Sequence, residues 1–224
     1  MIKAIIFDLD GTLADTIGAI TEALNMTLSA LSYPLKTEQD VLGFINFGVR
    51  EFAQHAIPHS ASTDPDKVDE AIYLYAHNYE KTYMHTDKPY EGIPEVIKEL
   101  KKDFRIGMLS NKQDEFVSAL EKNLFEDGLF EIAHGVRTGY PVKPDPTVPL
   151  QFASFFGVKP WECAFVGDSD IDVATAKNSG MLAVDVCWGY RDEETLKRCG
   201  ADYTVHTPQQ LLDFFKHINN QTKD

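Results

Sequence analysis

The feature that most constrains this chain is the alternation of short apolar runs with helical stretches along most of its length. The runs are Ile2–Phe7, Arg105–Leu109, Ile132–Val136, Ala164–Val166 and Leu182–Val186, with a weaker one at Asp202–Val205. They are apolar almost throughout rather than at every second residue, which suits parallel strands covered on both faces. Between them the pattern predicts helices at Glu91–Lys102, Asp114–Asn123, Thr147–Phe156, Ile171–Asn178 and Pro208–Ile218. Pro94 stands near a first turn, where a helix tolerates proline, and Gly180 stands just past a last one. Such alternation predicts an α/β fold, a doubly wound, Rossmann-like parallel sheet.

About a hundred residues separate the first run from the second, too many for a single crossover. From Asp15 to about Thr86 the pattern is helical, at Ile17–Leu31, Thr37–Phe44, Val49–His55 and Pro65–Tyr83. The expected organisation is therefore a core of residues 1–14 and 88–224, with an inserted helical domain of residues 15–87. The tyrosines Tyr73, Tyr75, Tyr79 and Tyr83 recur at helical spacing and are expected to pack within that insert.

Composition narrows the function. No apolar stretch approaches the roughly 20 residues of a membrane span, and the N-terminus lacks a signal-peptide pattern, so a cytoplasmic protein is expected. A formal charge of −14 argues against nucleic acid or an anionic membrane as partner. Cys163, Cys187 and Cys199 show neither disulfide nor metal spacing.

The remaining signal lies where the strands end, because open parallel sheets bind ligands beyond their carboxyl edge. The first strand ends in Asp8-Leu9-Asp10-Gly11-Thr12 and the second in Ser110-Asn111-Lys112. A loop past the third carries Lys143-Pro144-Asp145-Pro146, and the fourth ends in Gly167-Asp168-Ser169-Asp170-Ile171-Asp172. Gathered together, Asp8, Asp10 and Asp168 would repel one another and call for a cation. Hard oxygen ligands of this kind suit Mg²⁺, which shares its coordination with a substrate phosphate. Lys143 adds a fixed positive charge and Ser110 a hydroxyl for the oxygens of an anion. These are parts of a phosphoryl-transfer site, in which an aspartate can be the nucleophile and a second aspartate the proton carrier.

With D-x-D-G-T-L, S-N-K, K-P-D-P and G-D-S-x-x-D in this order, the chain resembles the haloacid dehalogenase-superfamily hydrolases, in particular their phosphoglycolate phosphatase-like branch. The resemblance implies a haloacid dehalogenase-like core with a mobile cap formed by the insert. It implies Asp8 as nucleophile and Asp10 as general acid/base, whose main-chain carbonyl also binds Mg²⁺. It implies that Thr12 orients the site, Ser110 bonds the phosphoryl group and Lys143 stabilises the transferring charge. Asp168 would ligate the metal, with Asp172 supporting or joining it, and backbone N–H groups around Leu9 and Asn111 would add donors. The second aspartate, Asp10, sets the chain apart from the dehalogenases proper and from the ion-pumping ATPases of the superfamily.

The implied function is Mg²⁺-dependent hydrolysis of a small, phosphoglycolate-like phosphomonoester through an aspartyl-phosphate, by a monomer or homodimer. A β-phosphoglucomutase-like phosphomutase, a pyrophosphatase or a 5′-nucleotidase could use the same residues; outside the enzymes, the alternative is a regulatory binding module. In the insert, Gly43–Arg50 resembles the branch's cap loop, and Arg50 could pair with a substrate carboxylate. Trp188-Gly189-Tyr190 resembles a turn at the edge of the site in the same branch.

Overall fold

A computed structural model describes residues 1–219, save the side chains of residues 85 and 86. Along the chain the strands are β1 (Ala4–Phe7), β2 (Ala14–Asp15), β3 (Lys88–Pro89), β4 (Arg105–Gln113), β5 (Ile132–Val136), β6 (Cys163–Gly167), β7 (Leu182–Val186) and β8 (Tyr203–Val205). Six of them form one parallel sheet in the order β5-β4-β1-β6-β7-β8, and β2 pairs with β3 in a short ribbon. The chain divides into two compact units, Met1–Ala14 with Pro89 onward, and Asp15–Lys88.

In the first unit, β1 is the central strand. Its residues alternate between faces, as strand geometry requires. Ala4 and Ile6 join the cluster of Leu109, Phe152, Phe156, Phe165 and Val173, while Ile5 and Phe7 are equally buried on the opposite face. The helices that flank the sheet are α6 (Ile93–Leu100), α7 (Asp114–Leu124), α8 (Thr147–Phe156), α9 (Asp170–Ser179), α10 (Glu193–Arg198) and α11 (Pro208–Ile218). Because β1 lies between β4 and β6, the order of the sheet reverses at its carboxyl end, and such a reversal opens a crevice for a ligand.

The second unit is helical, with α1 (Ile17–Ala30), α2 (Glu38–Leu42), α3 (Val49–Ala56), α4 (His59–Ser62) and α5 (Pro65–Thr86). Helix α5 begins with Asp64 capping the Asp66 N–H and Pro65 in its first turn, a start that leaves no orphan donor on the proline. Its face toward α1 carries Asn78, which donates to Thr27 Oγ1 at 3.0 Å, and Thr82, which donates to the Ala19 carbonyl at 3.2 Å. Tyr75, Tyr79 and Tyr83 stack at 5.8 and 5.6 Å, and Phe52 of α3 packs on Tyr75 at 5.0 Å. Tyr73 instead points outward.

Three differences from the expected elements have local causes. Strand β1 starts at Ala4 rather than Ile2, because the Ile2 N–H and carbonyl are taken by the Asn219 side chain at 2.9 and 2.8 Å. Strand β4 runs on past Leu109 to Gln113 through an irregularity, so that Ser110, Asn111 and Lys112 lie on a bulged strand end. Helices α4 and α10 are too short and too polar to show a period, each burying a single side chain. Among the described residues no helix is long and apolar enough to cross a membrane.

Phe152 fills the space above Gly107, where an added Cβ would stand 2.9 Å from its ring. Replacing this fully buried ring, Phe152→Ala, is expected to cost about 3–5 kcal/mol in urea unfolding. A loss below about 1 kcal/mol would place the core elsewhere.

Candidate active site

The predicted strand-end residues converge in the first unit. The Asp8 N–H donates to the Val166 carbonyl at 2.9 Å, so the sheet ladder still holds the backbone where the first acid appears. The chain then turns tightly: the Leu9 carbonyl accepts from the N–H groups of Leu13 and Ala14 at 2.9 and 3.0 Å. Asp8, Asp10, Thr12, Ser110, Asn111, Lys143, Asp168 and Asp172 are all buried, and so is Leu9.

Lys143 is the hub. Its Nζ lies 2.7 Å from Asp8 Oδ1 and 2.7 Å from Asp172 Oδ1. The Asn111 side chain fixes the lysine backbone, donating to the Lys143 carbonyl at 3.0 Å and accepting its N–H at 2.8 Å. Both polar atoms of that side chain thus take part in positioning the lysine. Burial works against the lysine's charge, but Asp172 and Asp8 outweigh it and hold its pKa above the ordinary value.

Asp172 is aimed by the start of α9. Ser169 caps that helix, and its Oγ and N–H donate to Asp172 Oδ2 at 2.6 and 3.1 Å, a capping box that leaves Oδ1 for Lys143. Gly167 permits the close packing, because a Cβ there would fall 2.2 Å from that of Asp172. Asp168 is held on both oxygens: Thr12 Oγ1 donates to Oδ1 at 2.9 Å and the Tyr190 N–H to Oδ2 at 2.7 Å. A Cβ on Gly189 would lie 2.4 Å from that of Asp168, and the Trp188 indole N–H donates to the Thr12 carbonyl at 3.1 Å. The Trp188–Tyr190 turn therefore shapes the acid cluster directly.

Carboxylate oxygens of Asp8, Asp168 and Asp172 lie within 4.8 Å of one another. The Asp10 carboxylate stands outside that group, receiving Ser110 Oγ–H at 3.4 Å and facing Lys112 Nζ at 2.9 Å. Fully ionised, Asp8, Asp10, Asp168 and Asp172 against Lys112 and Lys143 would leave two negative charges. Unpaired charge in a buried site is costly, so a hard divalent cation fits the three-carboxylate group in both charge and donor chemistry. Without one, burial and Asp172 raise the Asp8 carboxyl well above the ordinary range despite Lys143. The same two causes push Asp168 up to about 7.

Arg50 lies in the second unit, where it forms an exposed ion pair with Asp69. Two participants escape a motif-based reading. Lys112 stands inside S-N-K, and its ammonium pairs with Asp10. Asp185 of β7 is buried with no hydrogen-bond partner on either oxygen among the described residues, and burial with Asp172 and Asp168 pushes it up to about 9. The signal for Asp185 was a lone acid in the otherwise apolar run Leu182–Val186.

These raised carboxyls fix the sign of the pH response. Below about pH 4 both folded and unfolded chains are protonated at these positions. As pH rises, the unfolded chain ionises first and the folded one resists, so stability falls up to about 7 for Asp168 and on to about 9 for Asp185. In EDTA, the melting temperature is expected to drop by about 5 °C or more between pH 5 and pH 8, and added Mg²⁺ to recover more at pH 8 than at pH 5. A rising curve in EDTA, measured by circular dichroism, would contradict the cluster's electrostatics.

Comparison with known proteins shows the family. The sequence profile described as haloacid dehalogenase-like hydrolase matches residues 5–186. A phosphoglycolate phosphatase of Aquifex aeolicus is 30% identical over 212 residues, covering 94% of this chain and 95% of that one. An N-acetylmuramic acid 6-phosphate phosphatase of Pseudomonas aeruginosa is also 30% identical, over 95% of this chain and 94% of that one. A crystal structure from Lactobacillus delbrueckii subsp. bulgaricus, provisionally named a phosphoglycolate phosphatase, superposes with a TM-score of 0.87 at 29% identity, covering 95% and 97% of the two chains. The parallel sheet, the acid cluster at its carboxyl edge and this match over most of the length establish that the chain belongs to the haloacid dehalogenase-like hydrolases.

Proposed function

We propose that this chain is a Mg²⁺-dependent phosphatase that hydrolyses a small phosphomonoester through an aspartyl-phosphate on Asp8. The observation that carries the reading is the sorting of the acids: Asp8, Asp168 and Asp172 share one buried cluster with Lys143, while Asp10 is held apart beside Ser110. Asp8 attacks phosphorus, and the bond from phosphorus to the leaving oxygen breaks as Asp10 gives that oxygen a proton. Asp10 then takes a proton from water, which attacks phosphorus and returns Asp8 as a carboxylate. Lys143, Ser110 and the backbone N–H groups near Leu9 and Asn111 stabilise the phosphoryl oxygens as charge develops. Asp8, Asp168 and Asp172, with the Asp10 main-chain carbonyl, would hold Mg²⁺, which when bound offsets the charge of the acids and the phosphate.

The two relatives are named for phosphate esters of acids, a glycolate and a muramic acid, and a substrate with a carboxylate near its ester is the class this reading favours. Residues 1–14 and 88–224 form the hydrolase core, and the helical insert is the cap that selects the substrate. The enzyme works in the cytoplasm, as a monomer or homodimer.

Asp8→Asn is expected to lower hydrolysis of para-nitrophenyl phosphate by at least about a thousandfold while the protein stays folded. EDTA should silence the wild type and Mg²⁺ restore it; substantial turnover by Asp8→Asn, or in EDTA, would sink the assignment. A coupled assay with a sugar phosphate separates this activity from a phosphomutase. If Arg50 leaves Asp69 to bind a substrate carboxylate, Arg50→Ala raises KM for a carboxylate-bearing ester by about tenfold and leaves para-nitrophenyl phosphate unchanged. Equal losses on both substrates would exclude that role.

A further inference from the structure

No step in this mechanism uses Lys112, yet its ammonium reaches into the site beside Asp10. Its side chain and that of Asp10 are 7% and 8% exposed, with Nζ 2.9 Å from Asp10 Oδ1. Ser110 completes a small frame around the acid: its Oγ donates to Asp10 Oδ2 at 3.4 Å and accepts the Lys112 backbone N–H at 3.2 Å. The frame is built on the bulged end of β4, where the register shifts between Leu109 and Gln113.

Without such a frame Asp10 would have a competing destination. It stands two residues from Asp8, and a carboxylate that close to a cation site is itself a competent ligand for a hard cation. What separates it from Asp8, Asp168 and Asp172 is the charge on β4: in a buried site an ammonium at 2.9 Å is a strong restraint. The two lysines thus sort the four acids, Lys143 from within the cluster and Lys112 from outside it.

We propose that Lys112 is a positioning residue that keeps the Asp10 carboxylate away from the cation, so that it remains free to carry the proton. This rests on the Mg²⁺-phosphatase reading given above. Removing the charge of Lys112 releases Asp10 toward the metal, so the protein binds Mg²⁺ more tightly and turns over more slowly.

Calorimetric titration of the intact chain with Mg²⁺ reads this without substrate. Lys112→Gln should bind Mg²⁺ at least about threefold more tightly than wild type. Its kcat on para-nitrophenyl phosphate should fall by about thirtyfold or more, with KM within about threefold. Lys112→Arg, which keeps the charge, should recover most of kcat and the wild-type Mg²⁺ affinity. The gain in affinity must act through the acid, so Lys112→Gln should add nothing in an Asp10→Asn background. Unchanged or weaker Mg²⁺ binding by folded Lys112→Gln overturns the proposal, as does the same gain when Asp10 is already Asn. If Lys112→Gln does not fold, the double variant, which removes both charges, should; a double variant equally unfolded also overturns it. If the unaltered chain takes up no Mg²⁺, the metal reading itself fails and this inference falls with it.

Discussion

The ion pairs of Lys143 with Asp8 and Asp172, each at 2.7 Å, are the interaction on which the site depends. A buried ammonium is tolerable only among carboxylates, and buried carboxylates only among cations, so neither partner could be placed alone. The fold meets the condition from separate elements: β1 delivers Asp8, the cap of α9 delivers Asp172, and Asn111 on β4 clamps the lysine's peptide group. Each of these is fixed by ordinary structural chemistry before any substrate arrives. The sheet hydrogen bond to Asp8, the capping box at Ser169 and the clamp on Lys143 together hold the charged groups in place.

The same economy explains the residual negative charge. Three carboxylates around one lysine are over-supplied, and Asp168 at about 7 and Asp185 at about 9 record the excess. In a purely structural cluster such excess would be a liability. At the carboxyl edge of a doubly wound sheet it suits the divalent cation and phosphate of the proposed function. Asp10 stands apart from the cluster, beside Ser110 and Lys112.

Much of the architecture was legible in the sequence because burial and period coincide there. The runs Ile132–Val136 and Leu182–Val186 and the helices Thr147–Phe156 and Pro208–Ile218 occur at the residues expected, each bounded by clear punctuation. Where period failed, so did legibility. Strand β4 continues through Ser110-Asn111-Lys112 although those polar residues look like a strand end, because a bulge lets the ladder resume at Gln113. The acids of the candidate site were visible as strand-end clusters, together with Thr12, Ser110 and Lys143, but the pairings among them were not. Nothing local in the sequence says that Lys112 turns to Asp10, that Asn111 spends both polar atoms on Lys143, or that the Tyr190 N–H holds Asp168. Those contacts span up to 102 residues and exist only once the strands are side by side.

The central claim is that Asp8 becomes covalently phosphorylated, and trapping that intermediate tests it most directly. The chain is mixed with a phosphate ester labelled at phosphorus in the presence of Mg²⁺, quenched in acid within milliseconds and digested for mass spectrometry. The account predicts label on the peptide that carries Asp8, sensitive to hydroxylamine as an acyl phosphate must be, and absent when EDTA replaces Mg²⁺. Turnover with no labelled peptide, or with label on another residue, would contradict it.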